Sequence, residues 1–235
     1  MMKWNKKFNY PFLKRSAVNG SRHYTVNQHR LPSVSTILSL TKTEEEKAGL
    51  ASWKARIGEK AAQQITTSAA ANGTKMHSIL ESYLRGRENL ELLEFEEEND
   101  LAQKMADLIV AKGINGKLDE IHGVECNLFY DDPKGFAGTA DLIATYESQL
   151  SICDFKQKNS IMKESYSSFH TYMLQLSAYS LCHDKIFGST ITQGVILLAT
   201  KDLVFQIFRI NHEKLKEYQQ MFLNRVDQYY ALINK

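Results

Sequence analysis

The spacing of apolar residues changes near Gly113, and this change divides the predicted elements into two groups. Before it, apolar side chains recur at helical spacing between charged and polar residues. Three helices are predicted, over residues 42–65, about 68–85 and about 96–112. Thr43 and Ser68 are suitable N-caps for the first two helices, and three Glu residues directly after Thr43 favour a helix N-terminus.

After Gly113, short runs rich in apolar residues predict strands separated by turns. The strands are predicted over residues 122–130, 136–146, 149–156, 191–199 and 203–209. Two further helical patterns cover residues 163–185 and 211–233. The order is helices, a three-strand meander, a helix, more strands and a helix. This order predicts an α/β domain with a helical N-terminal region.

Register arithmetic brings acidic side chains together on the predicted meander. If the DDPKG segment forms a five-residue hairpin loop, Glu125 on the first strand faces Asp141 on the second. If the next connection is a two-residue turn, Asp141 also faces Asp154 on the third strand. Side chains alternate along a strand, so Lys156 points to the same side as Asp154. Three carboxylates and one lysine therefore share one patch.

Opposed carboxylates destabilise a sheet unless a cation lies among them, and Lys156 offsets only one charge. Oxygen ligands of this kind suit Mg²⁺ or Mn²⁺. One alternative stays open, since a register slip of one residue would place the acids in solvent. Asp141 and Asp154 lie within apolar runs, which favours the clustered arrangement.

The charge distribution suggests a polyanionic partner. The net charge is only +2, but eight Lys or Arg residues precede the first acidic residue, Glu44. We interpret residues 1–30 as a basic arm that contacts nucleic acid, with a solvated terminus as the alternative. The acidic run at residues 96–98 is expected on a solvated helix face or loop.

The composition excludes several classes of protein. Hydrophobic residues make up 43% and charged residues 24%, which is typical of globular domains. The apolar run Val195–Ala199 is too short to span a bilayer, so no membrane partner is expected. Cys126, Cys153 and Cys182 lack zinc or iron–sulfur spacing and are expected to be reduced core thiols. Residues 1–15 contain no apolar signal-peptide segment, and we expect a location in the bacterial cytoplasm.

The segments around the acidic patch resemble the PD-(D/E)XK nucleases. Gly138–Asp141 followed by Asp154-Phe155-Lys156 resembles the core motif, in which an acid on one strand precedes acid-x-Lys on the next. Gly73–His77 resembles the G-x-x-x-H motif of the RecB-like exonuclease branch. Glu125 stands where that branch has another acid. Gln175 and Tyr179 match its Q-x-x-x-Y motif.

Three segments in the N-terminal half of the chain indicate a particular group within this branch. This half is similar to the mitochondrial genome maintenance exonuclease group and its phage relatives in Leu31–Leu38, Trp53–Arg56 and His77–Ser82. The resemblance covers about residues 30–185. Gln157 is a departure, since the family usually has Thr directly after the motif lysine. The cysteine pattern argues against the iron–sulfur members.

The resemblance implies a restriction-endonuclease-like core, with a central mixed sheet flanked by helices, and one or two Mg²⁺ (or Mn²⁺) ions. The implied metal ligands are His77, Glu125, Asp141, Asp154 and the backbone carbonyl of Phe155. Lys156 would hold the attacking water and stabilise charge on the phosphoryl oxygens. Lys156, Asp141, Asp154 and Glu125 form the implied catalytic set. Without its motif, His77 would be read as an ordinary packed or surface residue.

Hydroxyl, amide, cationic and aromatic side chains are candidates for DNA contacts. The set is Ser33, Ser35, Trp53, Arg56, Lys158, Ser160, Gln175 and Tyr179. Hydroxyls and cations bind phosphates, and aromatic rings stack on single-stranded bases. Gln175 and Tyr179 are expected to bind a phosphate or to orient Lys156. The alternatives are core packing for Trp53, Gln175 and Tyr179, and solvated surface for Lys158 and Ser160.

Together these observations predict a basic arm at 1–30 and a single nuclease domain at 31–235. Within that domain, a helical part covers about 42–112 and the sheet core about 120–235. The expected activity is Mg²⁺-dependent exonuclease hydrolysis of single-stranded DNA or DNA ends, leaving 5′-phosphates, in phage or bacterial recombination, replication or degradation. The alternatives are a structure-specific endonuclease on the same fold and a non-catalytic nucleic-acid-binding module. Oligomeric state and polarity stay open.

Overall fold

The computed structural model describes residues 3–18, 20–86 and 100–234. Over these ranges the chain forms a five-stranded mixed sheet with helices on both faces, and a three-stranded sheet near the N-terminus. The predicted α/β class with a central mixed sheet flanked by helices is confirmed. Among the described helices, none combines the length and apolar character that a bilayer span requires.

The large sheet carries the candidate site. Its strands, in spatial order, are β4 (Leu118–Tyr130), β5 (Phe136–Tyr146), β6 (Gln149–Lys158), β7 (Gln193–Thr200) and β8 (Phe205–Asn211). Neighbours are antiparallel except β6 and β7. Helix α5 (Ser167–Phe187) joins that parallel pair, because parallel strands need a crossover connection. The predicted meander β4–β5–β6 is confirmed.

The remaining helices are α1 (Val34–Leu40), α2 (Glu44–Ile57), α3 (Glu59–Leu84), α4 (Leu101–Ile109) and α6 (His212–Ile233), with a π-helical turn at Val110–Ile114. Thr43 caps α2 as predicted, in a capping box with Glu46. The predicted helix boundary at Ser68 is wrong. The chain breaks instead at Gly58, whose φ of +87° ends α2, and residues 59–72 contain no further glycine or proline.

Two predictions about residues 96–112 have different outcomes. The helix is present as α4 from Leu101. Its predicted first turn, residues 96–99, lies outside the described residues, as does the acidic run at 96–98. Gly113 lies in the π-helical turn that follows α4, close to the predicted end of the helix.

The N-terminal sheet was not predicted from the sequence. Its strands β1 (Lys14–Val18), β2 (Ser21–Val26) and β3 (His29–Pro32) cover much of the segment interpreted as a basic arm. Tyr24 of β2 is buried, and its hydroxyl lies 3.0 Å from the Thr139 hydroxyl on β5. This sheet therefore packs against the strand that carries Asp141.

Apolar layers cover both faces of the large sheet. One contains residues of α1, α5 and α6, and the other contains residues of α3 and α4. In α3, burial is concentrated in the second half, where Met76, Ile79 and Leu80 pack in the second layer. This packing fixes His77 over the sheet. The three cysteines are buried and free of disulfides.

Candidate metal centre on strands β4 to β6

The backbone ladder between β5 and β6 stops one residue before Asp141 and Asp154. Its last pair is Leu142 with Cys153, after a ladder that begins at the two-residue turn and follows the predicted register. At the next position the Phe155 N–H donates to Asp141 Oδ2 at 2.8 Å. Where the two strands diverge, the Asp141 carboxylate thus accepts the hydrogen bond from the β6 backbone. This bond holds the Asp141 side chain between β5 and β6.

Glu125 lies opposite Asp141 in the register of β4 and β5. The ladder pairs Val124 with Leu142 and Cys126 with Ala140, so the predicted register holds on both sides of Glu125. Glu125 itself has a φ of +52°, a left-handed conformation that is uncommon outside glycine. The backbone of β4 is therefore distorted at the residue that completes the acidic patch.

Helix α3 brings His77 to this patch. Its Nδ1 lies 3.5 Å from Asp141 Oδ2. One ligand atom each from His77, Glu125 and Asp141 lies within 4.8 Å of the others, a spacing at which all three can bind one metal ion. The structure thus brings together three of the five predicted ligand groups in a single cluster. The roles of Asp154 and of the Phe155 carbonyl as ligands stay predictions.

The three carboxyl groups in and beside this cluster differ in how readily they ionise. Burial, with the nearby Asp141 carboxylate, raises the pKa of Glu125 to about 7. Burial, reinforced by Asp141 and opposed by Lys156, raises the pKa of Asp154 to about 6. Burial also opposes ionisation of Asp141, but His77, Lys156 and the Phe155 N–H together outweigh it and lower the pKa of that carboxyl. The cluster therefore resists full ionisation unless additional positive charge is present.

Asp154 and Lys156 form a buried ion pair beside the cluster. Lys156 Nζ contacts Asp154 Oδ2, while Asp154 Oδ1 has no hydrogen-bond partner among the described residues. Lys156 Nζ also donates to Gln175 Oε1 at 3.1 Å and lies 4.9 Å from the centre of the Tyr172 ring. The ammonium is held on three sides, and one buried carboxylate oxygen is left without a partner.

Gln175 and Tyr179 lie on one face of α5, as their spacing predicts. Gln175 Nε2 donates to the Tyr179 hydroxyl at 3.4 Å, and Tyr179 is buried. The Tyr179 ring packs on Gly138, where a Cβ would come within 2.5 Å of a ring carbon. This arrangement supports the expectation that the pair orients Lys156. Tyr172, which also contacts Lys156, was missed because no motif includes it.

Four other predicted DNA contacts lie on or next to helices α1 and α2. Ser33 is the buried N-cap of α1 and accepts a hydrogen bond from the Thr36 N–H at 3.0 Å, so its hydroxyl is already used. Ser35 is exposed one residue into that helix. Trp53 is half-buried and Arg56 is exposed, both on α2. Their contact with DNA stays a prediction.

Lys158 and Ser160 follow the ion pair along the chain. Lys158 is half-buried, and its Nζ donates to the Ser168 hydroxyl at 2.9 Å. Ser160 is exposed beyond the end of β6. Only Ser160 of these two presents an uncommitted polar group to solvent, and DNA contact by either stays a prediction.

Comparison with known proteins supports the resemblance. In an alignment of 180 residues that covers 73% of this chain, it is 26% identical to mitochondrial genome maintenance exonuclease 1 of Homo sapiens, and it covers 50% of that protein. It is also 26% identical to the Mus musculus protein over 188 residues, covering 75% of this chain and 52% of the relative. The chain thus spans about half the length of these relatives. No protein-family model matches it.

Solved structures give weaker likenesses. One is a protein from Eubacterium rectale whose exonuclease function is a provisional assignment, with a TM-score of 0.46, 16% identity, and coverage of 69% of this chain and 66% of that one. Another, named SSO0001, has a TM-score of 0.39 and 15% identity, with coverage of 74% and 69%. The sequence relatives agree with a PD-(D/E)XK-like nuclease but do not distinguish its branches.

Proposed function

We propose that this chain is a metal-dependent nuclease that hydrolyses phosphodiester bonds from DNA ends. The observation that carries the proposal is the convergence of His77, Glu125 and Asp141 beside the buried Asp154–Lys156 pair. The sequence similarity to proteins named exonucleases supports the same reaction class.

The donor set fits a divalent ion such as Mg²⁺ or Mn²⁺. Carboxylate oxygens are the ligands that these hard cations prefer, and one imidazole nitrogen is compatible with Mn²⁺. The partnerless Oδ1 of Asp154 is an additional buried oxygen beside the cluster. Glu125 and Asp154 have raised pKa values, which indicates that the nearby cations, Lys156 among them, do not fully offset the burial of these carboxylates. We assign the metal to His77, Glu125, Asp141 and Asp154, with the Phe155 carbonyl as a further ligand.

A divalent ion in such a site polarises the scissile phosphate and lowers the pKa of a bound water. Lys156 supplies a fixed positive charge next to the metal ligands, held by Asp154 and Gln175. We assign to it the orientation of the attacking water and the stabilisation of charge that develops on the phosphoryl oxygens. Tyr172 and Tyr179 restrict the movement of this lysine, directly and through Gln175.

The substrate class follows from charge and from the resemblance. We propose DNA ends or single-stranded DNA as substrate, 5′-phosphates as products, and a role in phage or bacterial DNA recombination, replication or degradation. The exposed Arg56 and the half-buried Trp53 on α2 are suited to a phosphate and a base. The bacterial cytoplasm stays a prediction, and it receives no support from relatives that are mitochondrial by name.

One gel assay tests the proposal. Oligonucleotides labelled at the 5′ or 3′ end, single- or double-stranded, are incubated with Mg²⁺, Mn²⁺ or EDTA. Stepwise shortening that requires a divalent ion is the expected result, and a circular substrate is expected to stay intact. Cleavage of the circle would favour an endonuclease instead. DNA left intact in both metals would overturn the proposal.

A further inference from the structure

The segment before β1 is attached to the outer edge of β4. Asn5 N–H donates to the Ile121 carbonyl at 2.8 Å, and Ile121 N–H donates to the Lys3 carbonyl at 2.8 Å. The Asn5 side chain also donates to Glu120 Oε2 at 2.7 Å. These bonds add residues 3–5 to the edge of the large sheet as a short parallel pairing.

Aromatic side chains hold the rest of this segment. Phe8 is buried, and the centre of its ring lies 4.6 Å from the ring centre of His183 and 5.1 Å from that of Phe187, both on α5. The Tyr10 ring lies so close to β4 that a Cβ on Gly123 would come within 2.5 Å of it. The segment therefore has a defined path over β4 towards Glu125.

A groove of about 650 Å³ lies between this segment and β4. We call it the N-terminal groove, and its walls include Trp4, Lys6, Asn9, Phe12, Arg85 and Glu125. Its volume is within the range of small-ligand sites, about 300–1,000 Å³. Glu125 lines the groove and also belongs to the candidate metal cluster, so the groove adjoins the candidate metal centre.

The chemistry of the groove matches a nucleic-acid strand. Phe12 is 92% exposed, so the fold leaves its ring uncovered, and Trp4 is 37% exposed, so part of its ring reaches solvent. Lys6 adds positive charge. Arg85 donates 2.8 Å hydrogen bonds to the Val124 carbonyl and to Glu81, so its charge is paired with that carboxylate. Aromatic rings that stack on bases, with cations along the backbone, are the usual means of binding single strands.

We propose that the N-terminal groove binds the single-stranded segment adjoining the phosphate at the metal centre. This inference rests on the proposed function for its location and deepens it, since it assigns a binding site to the part of the chain before β1. Phe12 and Trp4 stack on bases, and Lys6 pairs with a phosphate. Stacking depends little on base identity, so the groove has little sequence preference.

Tryptophan fluorescence provides a test that needs no catalysis. The chain has two tryptophans, so Trp53→Phe leaves Trp4 as the only one. This variant is titrated with a thymidine oligonucleotide in Ca²⁺, while anisotropy of a fluorescein label follows binding and a gel checks that the strand is intact. The expected result is a saturable loss of Trp4 emission. Unchanged emission at saturation would overturn the proposal.

A second variant tests the contribution of the exposed ring. Phe12→Ala is expected to raise the dissociation constant for the oligonucleotide about tenfold, and Met221→Ala, an exposed apolar residue on α6, is expected to leave it unchanged. Equal affinity of Phe12→Ala and wild type would contradict the proposal. If DNA stays intact in Mg²⁺ while Trp4 is quenched, the nuclease proposal fails and the groove stands. If DNA is cleaved while Trp4 emission is unchanged, the groove proposal fails and the nuclease proposal stands.

Discussion

Asp141 Oδ2 accepts the backbone N–H of Phe155 at 2.8 Å, at the point where β5 and β6 cease to pair. The same oxygen lies 3.5 Å from His77 Nδ1 on α3. One carboxylate therefore joins two strands and a helix. It holds the candidate metal centre next to the Asp154–Lys156 pair.

Removal of the lysine should stop cleavage without preventing binding. Lys156→Ala removes the positive charge beside the proposed metal ligands, and the expected loss in kcat is about 10²–10³-fold or more. Asp154→Ala should also abolish cleavage. Both are measured with end-labelled DNA in Mg²⁺, and binding by anisotropy in Ca²⁺. Lys216→Ala, an exposed change on α6, is the control. Wild-type turnover in either variant would remove the pair from the mechanism.

Metal binding should also be visible as added stability. A ligand at about 100 times its dissociation constant stabilises the folded state by about 2.7 kcal/mol. For a chain of this size that corresponds to a rise in Tm of about 5–10 °C. The rise in Mn²⁺ should disappear in Asp141→Asn and remain in Asp107→Asn, which changes an exposed carboxylate on α4. An equal rise in both variants would place the ion elsewhere.

The close approach of Tyr179 to β5 predicts a steric effect. In Gly138→Ala the new Cβ would meet Tyr179 ring atoms at 2.5 and 3.2 Å, so the ring must move. The expected loss of stability is about 1–3 kcal/mol. Activity should fall as well, because Tyr179 supports Gln175. Gly49→Ala has open space around the added methyl and should be neutral or stabilising. Urea unfolding compares them, and equal midpoints would contradict the packing argument.

A buried histidine should make stability depend on pH. Burial lowers the pKa of His183 to about 4, with smaller contributions from His122 and Lys7. In the unfolded chain the pKa is about 6.5, so between pH 6.5 and 4 the unfolded state binds a proton that the folded state does not. The free energy of unfolding therefore decreases as the pH is lowered across this window, by about 3 kcal/mol in total.

Chemical unfolding at pH 7 and pH 4.5 measures this dependence. His183→Gln is expected to flatten it, since no group then gains a proton at this site on unfolding. His29→Gln, at an exposed position in β3, should keep the wild-type slope. The same slope in His183→Gln and wild type would mean that other groups account for the effect.

The register of the meander was predictable because turn lengths determine it. A five-residue loop sets Tyr130 opposite Phe136, and a two-residue turn sets Tyr146 opposite Gln149, and both pairs are observed. The end of the β5–β6 ladder was not predictable. It depends on the Asp141 carboxylate, which accepts the Phe155 N–H in place of a backbone carbonyl. The local spacing of residues does not reveal this bond.

Other features needed tertiary information. The N-terminal sheet has short strands, and Tyr24 is buried in a cluster that includes Phe129 and Ala137 of the large sheet, which are distant in sequence. The left-handed conformation at Glu125 has no local signal, because nothing in its sequence neighbours demands it. Tyr172 is one of several aromatic residues on α5, and only the three-dimensional structure shows which of them faces Lys156.

The most direct test of the central claim is the anomalous difference density of crystals grown in Mn²⁺. The predicted result is a peak between His77, Glu125 and Asp141, within bonding distance of all three side chains, that disappears in Asp141→Asn. Saturating Mn²⁺ with no peak at these residues, or with ions bound only elsewhere, would contradict the account.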